Sequence, residues 1–479
     1  MSPRDNRWCT TGVTDWAGRH RKGGWSSLGR RRRTWRPECG SIGPCGSICA
    51  PRVCARRSLT FRRWTRRITG WSRRMEAPIV VGLDVGTTKV CALVARLEGA
   101  VPRVIGVGIE PSRGMSKGLV TDIPALSRAV AQAIEKAERT SGLVIESALV
   151  SLAGAQVSGE ISRGVAGVRG GRVGERDIAR ALEAAQAIAV PHNREVIHMV
   201  HRGFTLDEQE QVHNPLGMYG YRLEAEVYVI SALKSAIANL RQAVEAAGVE
   251  VAGFVLNPLA AGEAVLQDTE REMGVVVVDI GGGTTDLAVY IDGDVWHTAV
   301  IPLGGNHITN DLVYVLHLPP QEAEQVKVAH GHAVPQEVPP EEFVTVHPYG
   351  EAQGVQLPRW EMAQIIEARV REIFQFVHQE IHRSGYEGLL PAGVVLTGGV
   401  SDLPGVKEVA REVLGLPVRI ARPERVTGMT DRIRKPAFAT SVGLLYWPHL
   451  TVGAAQATMR TEKAPRSNSW LEWLRRLLP

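Results

Sequence analysis

The 479-residue chain has room for two large domains or one large two-lobed one. Apolar residues make up 44% and charged residues 22%, a globular balance, and apolar runs such as residues 274–278 exclude a spanning helix, which needs roughly 18–20 such residues. The net charge of +6 is unevenly spread: residues 1–74 hold 18 Arg and one Lys against Asp5, Asp15 and Glu38, a net of +16, leaving −10 for residues 75–479.

That leader also holds six of the eleven Trp and five of the six Cys, and it shows no hydrophobic periodicity. Arg and Trp of this kind can serve a nucleic-acid-binding arm. Cys39, Cys45, Cys49 and Cys54 lack the close paired spacing and His partners of a metal cluster. A secretory signal fails because no apolar segment follows the arginines. The reading preferred over these, with no nucleic-acid partner, is that Met75 is the true start and residues 1–74 are disordered or an upstream translation artefact. A chain starting at Met75 is then expected to match the full one in expression and thermal stability, and loss of solubility on truncation would overturn this. Beyond the leader only Cys91 remains, in keeping with a reducing compartment.

Regular structure begins at Ile79. Residues 79–84 and 90–95 read as strands around a Gly-Thr-Thr turn. Asp122 caps a helix with Pro124 in its first turn and Leu126, Val130, Ile134 and Ala137 on one face, ended by Gly142. A strand follows at 148–152. Residues 161–168, 175–189, 195–206 and 222–231 then read as strand, helix, strand, strand, a compact unit inserted into the first domain. A helix carrying Leu233, Ile237, Leu240 and Val244 closes at Gly248.

A second domain opens at Gly274 with strands at 275–279 and 287–291. A long helix over 359–383, a strand at 393–396 and a helix at 403–414 follow. The predicted division is 75–158 with 232–273 as one lobe, 159–231 as the insert, 274–303 with 385–448 as the other lobe, and 304–384 as its outer part. Residues 449–468 read as a polar linker. In 469–479, Trp470, Trp473, Leu474, Leu477 and Leu478 fall on one helical face, with Glu472, Arg475 and Arg476 off it. This predicts a short amphipathic helix that lies on an anionic lipid surface.

An internal repeat carries the chemistry. Val80-Val81-Gly82-Leu83-Asp84-Val85-Gly86-Thr87-Thr88 matches Val276-Val277-Val278-Asp279-Ile280-Gly281-Gly282-Gly283-Thr284-Thr285 in design: an apolar strand ending in Asp, then a Gly-Thr turn. Tips of this kind offer backbone N–H groups and hydroxyls to an anion. A facing pair can clamp a polyphosphate, with Asp84 and Asp279 holding a hydrated Mg²⁺. One such tip alone is equally a plain hairpin. A third turn, Leu396-Thr397-Gly398-Gly399, can lay a flat ring against backbone. Gly-Lys occurs nowhere, so a Walker A loop is excluded, and no G-x-G-x-x-G supports a dinucleotide fold.

Together these three motifs resemble the phosphate 1, phosphate 2 and adenosine motifs of the actin, Hsp70 and hexokinase superfamily. Leu303-Gly304-Gly305-Asn306-His307-Ile308-Thr309-Asn310-Asp311 and the inserted unit most resemble the FtsA family. The resemblance implies an α/β fold, the two-lobed actin-like (ribonuclease H-like) ATPase fold with an inserted strand-helix-strand-strand subdomain. It implies ATP and Mg²⁺ as cofactors, bound by Asp84, Gly86, Thr87, Thr88, Lys89, Asp279, Gly281, Gly282, Gly283, Thr284, Gly398 and Gly399, with Glu324 and Lys327 near the nucleoside. Residues 257–261 and 437–443 resemble the two connecting helices. Asn257 stands where many relatives carry an acidic or amide residue; it cannot take a proton, and Glu263 is the substitute considered, so at most a slow ATPase is expected. The implied partners are the FtsZ tail, received near Arg369 and Glu372, further copies of the chain, anionic lipid and other division proteins. The implied place is the cytoplasmic face of the cell membrane at the septum. A PilM-like pilus protein and a small-molecule kinase of the same superfamily remain the alternatives.

Overall fold

The computed structural model describes residues 77–448 apart from 100, 155, 188, 189 and 352; the readings of the leader, the linker and the terminal helix lie outside the described residues. The chain opens with β1 (Ile79–Val85), β2 (Lys89–Glu98) and β3 (Val101–Pro111), an antiparallel meander. A small ladder of β4 (Met115–Ser116) and β5 (Leu119–Val120) leads into α1 (Ile123–Ser141). The Asp122 carboxylate accepts the Ala125 N–H at 2.9 Å and Gly142 closes the helix at φ 71°, so both ends are set by the residues that suggested them. After β6 (Ser147–Leu152) the chain builds β7 (Ser158–Gly167), α2 (Glu175–Gln186), β8 (Arg194–Leu206), β9 (Gln209–Val212) and β10 (Arg222–Leu233). It then returns through α3 (Lys234–Glu245) and β11 (Glu250–Leu256).

The first sheet has the order β11-β6-β1-β2-β3, with β6 and β11 parallel to β1, and a two-residue sixth strand from late in the chain, Thr427–Gly428, pairs beyond β3. Its helix-covered face buries Leu126, Val130 and Ile134 of α1 against Ile237, Leu240 and Val244 of α3. The insert is a separate sheet, β7-β10-β8-β9, covered by α2 through Ala181 and Ala185. β9 escaped the sequence reading because its four residues, mostly polar and exposed, carry no alternation to detect.

The chain next forms α4 (Asn257–Val265), α5 (Asp268–Met273), β12 (Val275–Ile280), β13 (Thr285–Ile291) and β14 (Asp294–Ile301). It continues through α6 (Gly305–Leu316), α7 (Pro320–His330), the ladder of β15 (Phe343–Val346) and β16 (Val355–Pro358), and α8 (Arg359–Ser384). Last come β17 (Val394–Thr397), α9 (Val406–Leu414), β18 (Val418–Ile420), β19 (Thr427–Gly428) and α10 (Ala439–Gly443). The second sheet runs β14-β13-β12-β17-β18, with β17 and β18 parallel to β12. In order of appearance each sheet is therefore a meander of three followed by two parallel strands added beside the first. All six residues of β12 and all seven of β13 are buried, as befits central strands covered on both faces.

α9 begins three residues later than its apolar spacing suggests. Leu403 is held extended before Pro404, and Gly405 takes φ 82°, so no helical turn can form there. The two sheets meet through α4 and α10, whose apolar residues share one core with Val80, Leu93, Val277 and Tyr290. The crossing is close: a Cβ on Gly443 would lie 1.7 Å from the Ala260 carbonyl oxygen. Overpacking such a contact costs about 1–3 kcal/mol. The insert touches the second sheet as well, where the Tyr228 hydroxyl accepts the Thr298 N–H at 2.9 Å. Beside it the buried Arg202 lies over the Trp296 ring at 4.0 Å.

Candidate functional site

β1 and β2 turn at Gly86–Thr88, and β12 and β13 turn at Gly281–Thr284, so the repeated motif becomes two hairpin tips. The tips abut. A Cβ on Gly282 would lie 1.9 Å from Thr88 Oγ1, and one on Gly283 would lie 2.5 Å from Thr87 Oγ1. The start of α6 buttresses the second tip: Gly305 N–H donates to the Gly281 carbonyl at 2.9 Å and Asn306 N–H to the Gly282 carbonyl at 2.8 Å.

Beneath the tips lies a cavity of about 290 Å³. Its walls include Asp84, Gly86, Thr87, Thr88, Lys89, Asp279, Gly281, Gly282, Gly283, Thr284, Glu324, Lys327, Gly398 and Gly399. Every residue that the sequence offered for nucleotide or ion is thus brought to one place. Gly398 could hardly be another residue: φ is 88°, and a Cβ would meet Asp279 Oδ1 at 2.4 Å.

Adjacent α10 residues grip the two aspartates. Asp84 accepts the Ser441 hydroxyl at 2.6 Å and the Ser151 hydroxyl at 3.0 Å, while Asp279 accepts the Thr440 hydroxyl at 2.6 Å. Burial pushes the Asp279 carboxyl up to about 6, offset in part by Thr440, with the charge of Asp84 adding to the rise. Elsewhere in the lining Lys327 is 8% exposed; its Nζ donates to Glu324 at 2.6 Å, Thr309 Oγ1 at 2.8 Å and the Gly305 carbonyl at 3.1 Å. Lys89 donates to the Ala437 carbonyl and lies 4.7 Å from the Phe438 ring centre, tying β2 to the segment that leads into α10.

Glu263 does not reach this cavity. It pairs with Arg271 at 2.6 Å, as its place on α4 dictates: six residues beyond Asn257, it falls on a different face of the helix. The carboxylate beside the tips is Asp286 instead. It accepts the Thr284 hydroxyl at 3.0 Å with one oxygen, and its Oδ1, like Asn257 Oδ1, is buried without a hydrogen-bond partner. Burial, then the charge of Asp279, push its carboxyl well above the usual range. The sequence held one signal for it, an acid that shares the otherwise uncharged segment 274–291 with Asp279 alone. Arg369, offered as a partner contact, is already engaged: it makes a two-pronged ion pair with Asp311 of α6 at 2.6 and 2.8 Å and also bonds Glu372.

A carboxyl raised by burial keeps its proton in the folded chain at pH values where the unfolded chain has lost it. Stability from Asp279 and Asp286 is therefore fully present below about pH 4 and is lost as pH rises through about 6 for Asp279 and beyond for Asp286. Asp286→Asn is expected to raise the melting temperature at pH 8 by a few degrees, with the gain shrinking towards pH 5. Melting curves at the two pH values check this, and a pH-independent difference would assign the effect elsewhere.

Two sheets of one topology, joined by a pair of crossing helices with facing Gly-Thr tips over buried aspartates, define an actin-like ATPase fold. The solved PilM-PilN type IV pilus biogenesis complex has this fold too, with TM-score 0.54, 20% identity and coverage of 76% of this chain and 97% of that one. The model of the family "Cell division protein FtsA" matches residues 276–443, and that of the "SHS2 domain inserted in FTSA" matches residues 154–231. Cell division protein FtsA of Pseudomonas aeruginosa is 41% identical over 371 residues, covering 77% of this chain and 89% of its own length. The Escherichia coli K12 protein is 37% identical over 409 residues, covering 82% and 97%. The chain belongs to the family of cell division protein FtsA.

Proposed function

We propose that the chain is an ATP-binding, actin-like scaffold of the division machinery. It assembles with further copies of itself on the cytoplasmic face of the cell membrane and ties the FtsZ ring to that membrane at the septum. The observation that carries this reading is the convergence of both tips, both aspartates and the Gly398–Gly399 turn on one cavity, in a chain of this family.

In this reading the hydroxyls and amides of 86–88 and 282–284 hold the phosphates, and Gly398, Gly399, Glu324 and Lys327 hold the nucleoside. Mg²⁺, when bound, supplies positive charge against the phosphates. Among the described residues no group of three or more His, Cys, Asp or Glu is arranged to hold an ion. Asp84 and Asp279 would hold it through water, and the orphaned Asp286 and Asn257 oxygens are the groups a bound water or hydrated ion would satisfy. Asp286, once ionised, is the residue able to orient a water on the terminal phosphate and take its proton. Isothermal titration with ATP, with and without Mg²⁺, tests the assignment. Tight binding that needs Mg²⁺ is expected, and absence of ATP binding overturns it. In a phosphate-release assay Asp286→Asn is expected to lower turnover at least tenfold while ATP affinity holds; unchanged turnover removes Asp286 from that role.

The FtsZ tail is proposed to dock beside Arg369 and Glu372 on α8. Because Arg369 also anchors α8 to α6, charge reversal would set three carboxylates together, so Arg369→Gln is the cleaner variant. It is expected to weaken binding of an acidic tail peptide about tenfold with no change in ATP affinity, measured by fluorescence anisotropy. Intact peptide affinity would leave Arg369 a purely structural ion pair.

A further inference from the structure

The chain leaves the second sheet at β18 and joins the first at β19, which pairs with β3 through Thr427 and Arg103. The segment 422–435 is therefore a strap that crosses from one lobe to the other. It carries Arg422, Arg425, Arg432, Arg434 and Lys435, all exposed, against only Glu424 and Asp431. That is a local charge of +3 on residues 75–479 whose total is −10.

Three of the five basic side chains converge, Arg422 among them with Glu424 as an exposed ion-pair partner at 3.5 Å. Arg422 and Arg434 line one groove of about 400 Å³, and Arg422 and Arg425 line another of about 560 Å³. Arg434 donates to the Val426 carbonyl at 3.3 Å, drawing the two arms of the turn together. Within that turn Met429 is 48% exposed, and Gly428 before it has φ 90°. The Arg425 guanidinium sits 5.5 Å from the Tyr446 ring centre, so the strap lies beside the point where the chain runs on towards residues 449–479.

A bare methionine among arginines suits one surface in particular. The thioether can enter the boundary between headgroups and acyl chains while the guanidinium groups bond phosphate oxygens. An acidic body is repelled by an anionic bilayer within about a Debye length, roughly 8 Å, so the face that lies against it must carry the opposite sign. We propose that the strap 422–435 is a second lipid contact, which takes anionic phospholipid headgroups and fixes which face of the body meets the membrane. This rests on the membrane reading above, in which the terminal segment supplies the anchor.

The test uses the full chain and vesicles of phosphatidylglycerol and phosphatidylethanolamine in equal parts, with phosphatidylcholine vesicles as the uncharged control. Arg422→Glu with Arg432→Glu changes two exposed residues away from the nucleotide cavity. Each basic residue near an anionic surface strengthens binding about fivefold, so the double variant is expected to bind anionic vesicles at least tenfold more weakly. Binding to phosphatidylcholine, melting temperature and ATP affinity are expected to hold. Unchanged binding to anionic vesicles overturns the proposal, and so does a loss confined to binding of an acidic peptide, which would assign the strap to a protein partner. If Trp473→Glu abolishes vesicle binding while the double variant binds normally, the anchor stands and the strap proposal falls. If the unaltered chain binds neither vesicle, the membrane reading itself falls.

Discussion

Gly282→Asp is expected to lower ATP affinity by at least two orders of magnitude in isothermal titration. Two effects act together. The new carboxylate stands where a phosphate is proposed to lie, and two unit charges 4 Å apart repel by roughly 4 kcal/mol at an effective dielectric near 20. A tenfold change in affinity is about 1.4 kcal/mol, so charge alone suffices. The second effect is steric: even a Cβ at this position meets Thr88 Oγ1 at 1.9 Å, which forces the tips apart. Gly282→Ala separates the two. It is expected to weaken binding less than the aspartate does, because it spreads the tips without adding charge. Unchanged affinity in Gly282→Asp would mean that this hairpin does not hold phosphate.

Trp473→Glu is expected to abolish co-sedimentation with anionic liposomes while ATP binding is retained. The stripe of Trp470, Trp473, Leu474, Leu477 and Leu478 follows the i, i+3, i+4, i+7, i+8 spacing of one helix face. Each large apolar side chain is worth at most about 1.5–3 kcal/mol when buried, and a helix this short is marginal in water. The proposed anchor is therefore reversible, and a charge in the middle of its stripe removes a large part of a small total. If the variant still pellets with lipid, the anchor lies elsewhere in the chain.

What could be read from the sequence depended on the range of the signal. Hairpin tips, caps and amphipathic helices are local, so Asp122, Gly142 and the paired Gly-Thr turns were legible from a few neighbours each. The tip glycines and the aspartates Asp84 and Asp279 were legible because the motif occurs twice. Contacts made across the chain were not. Nothing near Thr440 and Ser441 says that each grips an aspartate more than 150 residues away, and nothing near Arg369 announces Asp311. Glu263 misled because closeness along the chain to Asn257 is not closeness on the helix surface. Asp286 was visible as a charge in an apolar strand, but its role depends on Asn257 and Asp279, which only the folded chain sets beside it.

The matching sheets have one further consequence, which lies in their mismatch. Asp84 is paired across its hairpin with Cys91, and Asp279 across its own hairpin with Asp286. The four positions correspond two by two, seven residues apart in each copy. In the first copy the second position is a thiol that burial pushes up to about 12, which neither carries charge nor takes a proton at neutral pH. In the second it is a carboxyl group with an oxygen to spare. The frame around the cleft repeats itself, but its reactive groups do not, so a molecule with unlike ends meets two unlike walls.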